Sequence, residues 1–143
     1  MNTYTILKEK HQEEVNDFPM FFAFNNKQFD EGMKKFELEP SDTNKIYSVI
    51  GGGGYYKKTD AEKLHAMFKS HDEEMKQART NEKFVFDMFD YELGNHEYTY
   101  TWETEPTLDA LGLTMDEVNN NELLSNGLKV AKKAQNEWYK KHG

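Results

Sequence analysis

The chain contains no cysteine. That removes disulfide frameworks, thiolate zinc sites and cysteine nucleophiles from the functions open to it. No apolar run approaches the ~20 residues that a membrane-spanning helix needs, so no membrane partner is expected. The first ten residues, Met1 to Lys10, lack the basic-then-apolar pattern of an export signal, and the expected location is cytoplasmic. No Gly-x-Ser-x-Gly elbow or other nucleophile signature is present, which leaves an enzyme as the less favoured reading. No internal repeat or second domain is visible.

What is present fits one globular domain spanning residues 1–143. A chain of this size buries about 68–70% of its unfolded surface. Ten Phe, eight Tyr and two Trp supply core area that the modest aliphatic content lacks. Charge is unevenly placed. Residues 60–125 carry 16 acids against 5 bases, whereas residues 126–143 carry 1 acid against 5 bases. An acidic middle disfavours a phosphate backbone, which needs Lys/Arg clusters, so no direct nucleic-acid binding is expected. A basic final helix beside an acidic body reads most simply as internal charge complementation.

Periodicity divides the chain. Residues 3–16 read as a helix with Ile6, Leu7 and Val15 near one stripe. Pro19 bars its continuation, and Met20-Phe21-Phe22-Ala23-Phe24 is a continuous apolar run of strand length, read as a buried strand. Asn25-Asn26 offers an N-cap for a short helix over 27–36, where Phe29, Met33 and Phe36 recur at helical spacing. Residues 45–50 and 55–58 read as strands close enough for a hairpin. Thr59-Asp60-Ala61-Glu62 is a capping box opening a helix over about 60–79, with Leu64, Met67, Phe68, His71, Met75 and Ala78 on one face. Residues 82–93 favour helix, with strand as the alternative. His96 to Glu103 alternates cleanly and predicts a half-buried strand with His96, Tyr98, Tyr100 and Trp102 on one face. Pro106 opens a short helix to Leu111, Thr114 to Glu117 is a second capping box, and a last helix covers about 121–141. The class is α+β, a small, mainly antiparallel sheet of about four short strands packed by about six helices.

The least generic feature is the run Gly51-Gly52-Gly53-Gly54, followed by Tyr55-Tyr56. Four residues without Cβ cost about 0.5–1 kcal/mol each relative to alanine in regular structure. A primed hairpin turn is the leading explanation. The sharper one is a loop whose backbone amides cradle an anion or receive a partner closely. A phosphate loop is excluded because Lys57 and Lys58 come after two tyrosines, and the helix starts later still. A dinucleotide fingerprint fails because no helix begins on the glycines. Gly51, Gly52, Gly53, Gly54, Tyr55 and Tyr56 are the candidate partner- or ligand-binding residues.

Other constellations are weaker. His65 and His71 are six apart and fall on different helix faces, and metal pairs on helices want three or four. His71 reads as a satisfied core histidine. No catalytic residue, metal or cofactor is assigned. The carboxylates of Asp72-Glu73-Glu74 and of Asp87, Asp90 and Glu92 read as solvated helix faces. The Tyr98/Tyr100/Trp102 row resembles a base-stacking platform, but a core face is the simpler reading.

Phe18 to Phe24 with Gln28 to Gly32, the glycine run, and Leu108 to Thr114 together resemble a small family of uncharacterised bacterial proteins, associated with low-GC Gram-positive hosts and mobile elements. That resemblance implies an accessory or host-interaction role and transfers no activity. Three functions follow. The first is a non-enzymatic protein-interaction role through Gly51–Tyr56, with an unknown protein partner. The second is a small-molecule or nucleotide site using the glycine amides with Lys57, Lys58 or His96. The third is acidic mimicry of a nucleic acid's charge. Oligomeric state is not legible.

Overall fold

Short polar side chains set where the helices begin. In a computed structural model describing residues 1–49 and 52–143, Asn25 Oδ1 accepts from the Gln28 amide at 2.8 Å and opens α2, Asn26–Lys35. Asn81 does the same for α4, Glu82–Asn95, through the Phe84 amide at 3.0 Å. Asn121 opens α8, Glu122–His142, through Leu124. Thr114 and Glu117 form the reciprocal capping box predicted for α7, Met115–Asn119. The remaining helices are α1, Thr3–Asp17, α3, Ala61–Ala78, α5, Tyr98–Thr101, and α6, Glu105–Ala110. The capping box predicted at Thr59 to Glu62 does not open α3; instead Lys58–Asp60 form a 3-10 turn that runs into it.

The strands are β1, Phe21–Phe22, β2, Ile46–Ser48, and β3, Gly54–Lys57. They make one antiparallel sheet in the order β1-β3-β2, with Phe21 opposite Tyr55 and Tyr47 opposite Tyr56. The class is therefore α+β, with three strands and eight α-helices among the described residues. The end of the predicted 45–50 strand at Ile50 lies outside the described residues, as does Gly51.

The missing fourth strand is a correction. Residues 98–101 form a single helical turn, with Glu97 and Trp102 both left-handed at φ 55° and 60°. Thr101 donates to Glu97 O at 3.2 Å and Trp102 to Tyr98 O at 2.7 Å. The sheet is built wholly from residues 21–57, and an unpaired strand would leave its backbone groups without partners. A helical turn satisfies them locally. The alternating aromatics therefore do not form a row: Tyr98 is buried, while Tyr100 and Trp102 are exposed.

The chain divides into two compact units. Residues 1–12 and 72–143 form the helical unit. Its core joins Tyr4 to Val85, Met88, Phe89 and Leu93 of α4 and to Leu124, Leu128 and Ala131 of α8. Gly127 permits the close approach of α8 to α4, since a Cβ there would lie 2.4 Å from Val85 Cγ1. Asp87 ties the start of α1 to α4. Its Oδ2 accepts from the Thr3 amide at 2.8 Å, the Thr3 hydroxyl at 2.7 Å and Lys83 Nζ at 2.8 Å. Burial pushes the Asp87 carboxyl pKa up, but Lys83 and Thr3 outweigh it and hold it below the usual carboxylate range.

Residues 13–71 form the sheet-containing unit. Its core is Phe21, Ala23, Met33 and Ile46, flanked by Phe29, Phe36 and Tyr55. Within it His71 Nε2 lies 3.0 Å from Glu14 Oε2, so the histidine is partnered, as its place on the apolar stripe implied.

Candidate functional site

Residues opposite each other in an antiparallel sheet share a face, and the faces alternate along each strand. One face carries Phe21, Tyr55 and Ile46 into the core of the sheet-containing unit. Phe21 stacks on Tyr55 at 5.2 Å between ring centroids and meets Phe29 and Phe36 edge-on. The other face carries Phe22, Gly54, Tyr56 and Tyr47.

That second face is built on the glycines. Gly53 has φ +66°, which a residue with a Cβ adopts only at a cost. A Cβ at Gly53 would lie 2.6 Å from Phe24 Cε1, and one at Gly54 would lie 2.9 Å from Phe22 Cε1. The two phenyl rings therefore rest on bare backbone. Both remain in solvent, Phe22 at 57% exposure and Phe24 at 78%. Tyr47, on the same face but on β2 across β3, is 46% exposed, with Lys58 Nζ 4.9 Å from its ring centroid.

Hydrogen bonds of the hairpin engage Gly52, Gly53 and Gly54. Val49 donates to Gly54 O at 2.7 Å, Gly52 donates to Val49 O at 3.4 Å, and Ala23 donates to Gly53 O at 2.9 Å. Of the candidate residues, Gly52 is exposed and Gly53 sits in the turn, while Gly54 is buried at the start of β3. Tyr55 is partly buried against the core and Tyr56 is buried, so both are less open than the rings around them. The open rings are Phe22, Phe24 and Tyr47, which the sequence reading passed over. It took Met20–Phe24 as buried on both sides because the run is continuously apolar. An edge strand with one covered face buries only alternate residues, here Phe21 and Ala23.

Of the residues proposed to work with the glycines, Lys58 lies over Tyr47 on the outer face, while Lys57 shares the opposite face with Ile46. Lys57 Nζ lies 5.3 Å from the Phe36 ring centroid. His96 belongs to the helical unit, as the C-cap of α4, with Nε2 3.8 Å from Glu92 Oε2. Glu92 is buried, and its Oε1 has no hydrogen-bond partner among the described residues. Among the described residues no three of His, Asp and Glu converge as a metal site. No helix is long and apolar enough to cross a membrane, among the same residues.

The helical unit has two clefts along α4 and α8. One, of about 740 Å³, is lined by Phe86, Leu123, Gly127 and Val130 with Lys83 and Glu122 at its margins. The other, of about 540 Å³, is enclosed by α4, the α5 turn and α8, with Asp90, Glu97, Tyr100, Gln135 and Trp138 in its wall.

A family of unknown function, DUF7659, matches residues 3–134, and the chain belongs to it. No curated protein matches the chain. No solved structure matches it either.

Proposed function

We propose that the protein is a non-enzymatic interaction protein that docks apolar side chains of a protein partner on the outer sheet face, around Phe22, Phe24 and Tyr47. One observation carries this reading: two phenylalanines lie across glycine backbone while more than half exposed. A ring packed on a glycine is held in place without being covered, which fixes the shape of the surface before any partner arrives. Preorganised aromatic surface of this kind is what interfaces use as anchors. Contiguous exposed apolar surface on a small protein marks interaction sites.

The nucleotide reading is less well supported. The Gly52 amide points back into its own turn, and the carbonyls of Gly53 and Gly54 are engaged by Ala23 and Val49. An anion cradle needs amides turned outward together. An accessory role in a bacterial mobile element, in the cytoplasm, fits the interaction reading and rests on the sequence resemblance.

The test compares cross-linking from cell extract by the wild type and by Phe24→Ser. The same partner should be captured by the wild type and lost, by tenfold or more, in the variant. Thermal stability should change little, because Phe24 is 78% exposed. A partner captured equally by both chains overturns the assignment of this face. Self-cross-linking that Phe24→Ser abolishes would overturn the heterologous partner in favour of a second copy.

A further inference from the structure

We infer that the cleft enclosed by α4, the α5 turn and α8 is a binding site for an organic cation, an alkylated ammonium group. The argument starts from its wall. Phe86, Tyr98, Tyr100 and Trp138 supply aromatic rings, and Asp90 and Glu97 supply carboxylates; among the described residues no lysine, arginine or histidine lines it. Aromatic rings carry negative charge on their faces and attract cations that have shed part of their water. A quaternary or methylated ammonium is the cation best suited, because it is weakly hydrated and has no geometry of its own to satisfy. Its volume fits easily within about 540 Å³, a normal size for a small-molecule site.

The carboxylates are arranged for this. Gln135 Nε2 donates to Asp90 Oδ1 at 2.9 Å and to Asp90 O at 3.1 Å, which fixes the Asp90 side chain against α4. Glu97 accepts no side-chain hydrogen bond and makes no ion pair among the described residues. Lys132 stands 5.6 Å from the Tyr98 ring centroid and occupies that ring. Tyr100, at 74% exposure, and Trp138, at 53%, are left for a ligand. Trp138 is braced by His142, stacked on it at 4.7 Å. An anion would meet two carboxylates here, and an uncharged apolar ligand would bury them without a partner.

The chain supplies its own reporter. Its two tryptophans are Trp138, in the wall, and Trp102, whose ring lies 5.6 Å from that of Tyr98. Choline chloride and a peptide carrying trimethyllysine serve as probes, each against sodium chloride at matched ionic strength, read by tryptophan emission. Both probes should give a saturable change that sodium does not. Tyr100→Ser and Glu97→Gln should each weaken binding about fivefold, the size of one exposed cation–ring or ion contact. Tighter binding of the peptide would identify a protein-borne cation, and equal binding a free one. A response matched by sodium, or an affinity unchanged in both variants, overturns the proposal. Unchanged far-ultraviolet circular dichroism shows that the variants are folded.

Discussion

The glycine hairpin and the α5 turn both rest on left-handed backbone, and they reach it in opposite ways. In the hairpin the left-handed residue is Gly53, which meets no steric penalty there. In the α5 turn the left-handed residues are Glu97 and Trp102, each of which costs about 1–2 kcal/mol in that conformation. Burying the Tyr98 side chain between them offsets roughly 1.5–3 kcal/mol of this. The hairpin is thus an unstrained platform that holds exposed rings. The turn is a strained bracket, held by what it buries. Strain of that kind concentrates where a surface has a task.

If each unit answers to its own core, the largest effects come from its most tightly packed glycine. Gly32 and Gly127 are the tightly packed helical glycines of the two units. A Cβ would lie 2.1 Å from Phe21 Cδ1 in the first case and 2.4 Å from Val85 Cγ1 in the second. Each glycine-to-alanine change should cost about 2 kcal/mol, from overpacking less the helical preference for alanine. Amide exchange locates the loss. Gly32→Ala should lower protection across residues 13–71, and Gly127→Ala across 1–12 and 72–143. Equal loss throughout in both variants would show one cooperative unit and break the comparison.

A charge test sharpens it for the helical unit. Asp87→Asn removes a carboxylate that accepts three hydrogen bonds, one of them from an ammonium, and should cost about 2 kcal/mol at neutral pH. The folded-state pKa of Asp87 is depressed, so its contribution is full above the unfolded value and disappears as pH falls through the folded one. Denaturant titrations of wild type and variant should therefore converge in acid. A gap that stays constant down to strongly acid pH would show that the carboxylate's charge does not matter.

How much of this was legible follows from where the causes lie. Helix starts were readable because a cap is local: Thr114 and Glu117 sit three apart, and the structure pairs them. The hairpin was readable because Gly53 carries its own explanation. Phe22 and Phe24 were not readable as exposed, because nothing within Met20–Phe24 says that one side of β1 is left open. Residues 96–103 misled for the same reason. Alternation predicts a strand, but a strand needs a neighbour, and the sheet's residues lie at 21–57. The left-handed residues were hidden as well, since glutamate and tryptophan give no local sign of positive φ. The cleft assembles α4, α5 and α8 from residues some 50 apart in sequence, so no motif announced it.

The smallest effects decide whether the two turns differ as described. Gly53→Ala should destabilise the sheet-containing unit by about 1 kcal/mol, since the exposed Phe24 ring can move aside but φ cannot easily change. Glu97→Gly should do the reverse in the helical unit. It relieves about 1–2 kcal/mol of left-handed strain and gives back about 0.5–1 kcal/mol through the freer unfolded chain. The net is a gain of up to about 1.5 kcal/mol in chemical denaturation. The same change removes a carboxylate from the cleft, so choline binding should weaken while stability rises. Opposite movement of the two quantities is the signature of strain kept for a surface's use. If Glu97→Gly destabilises the unit, the bracket is held by contacts of the glutamate itself, and the contrast with Gly53 does not stand.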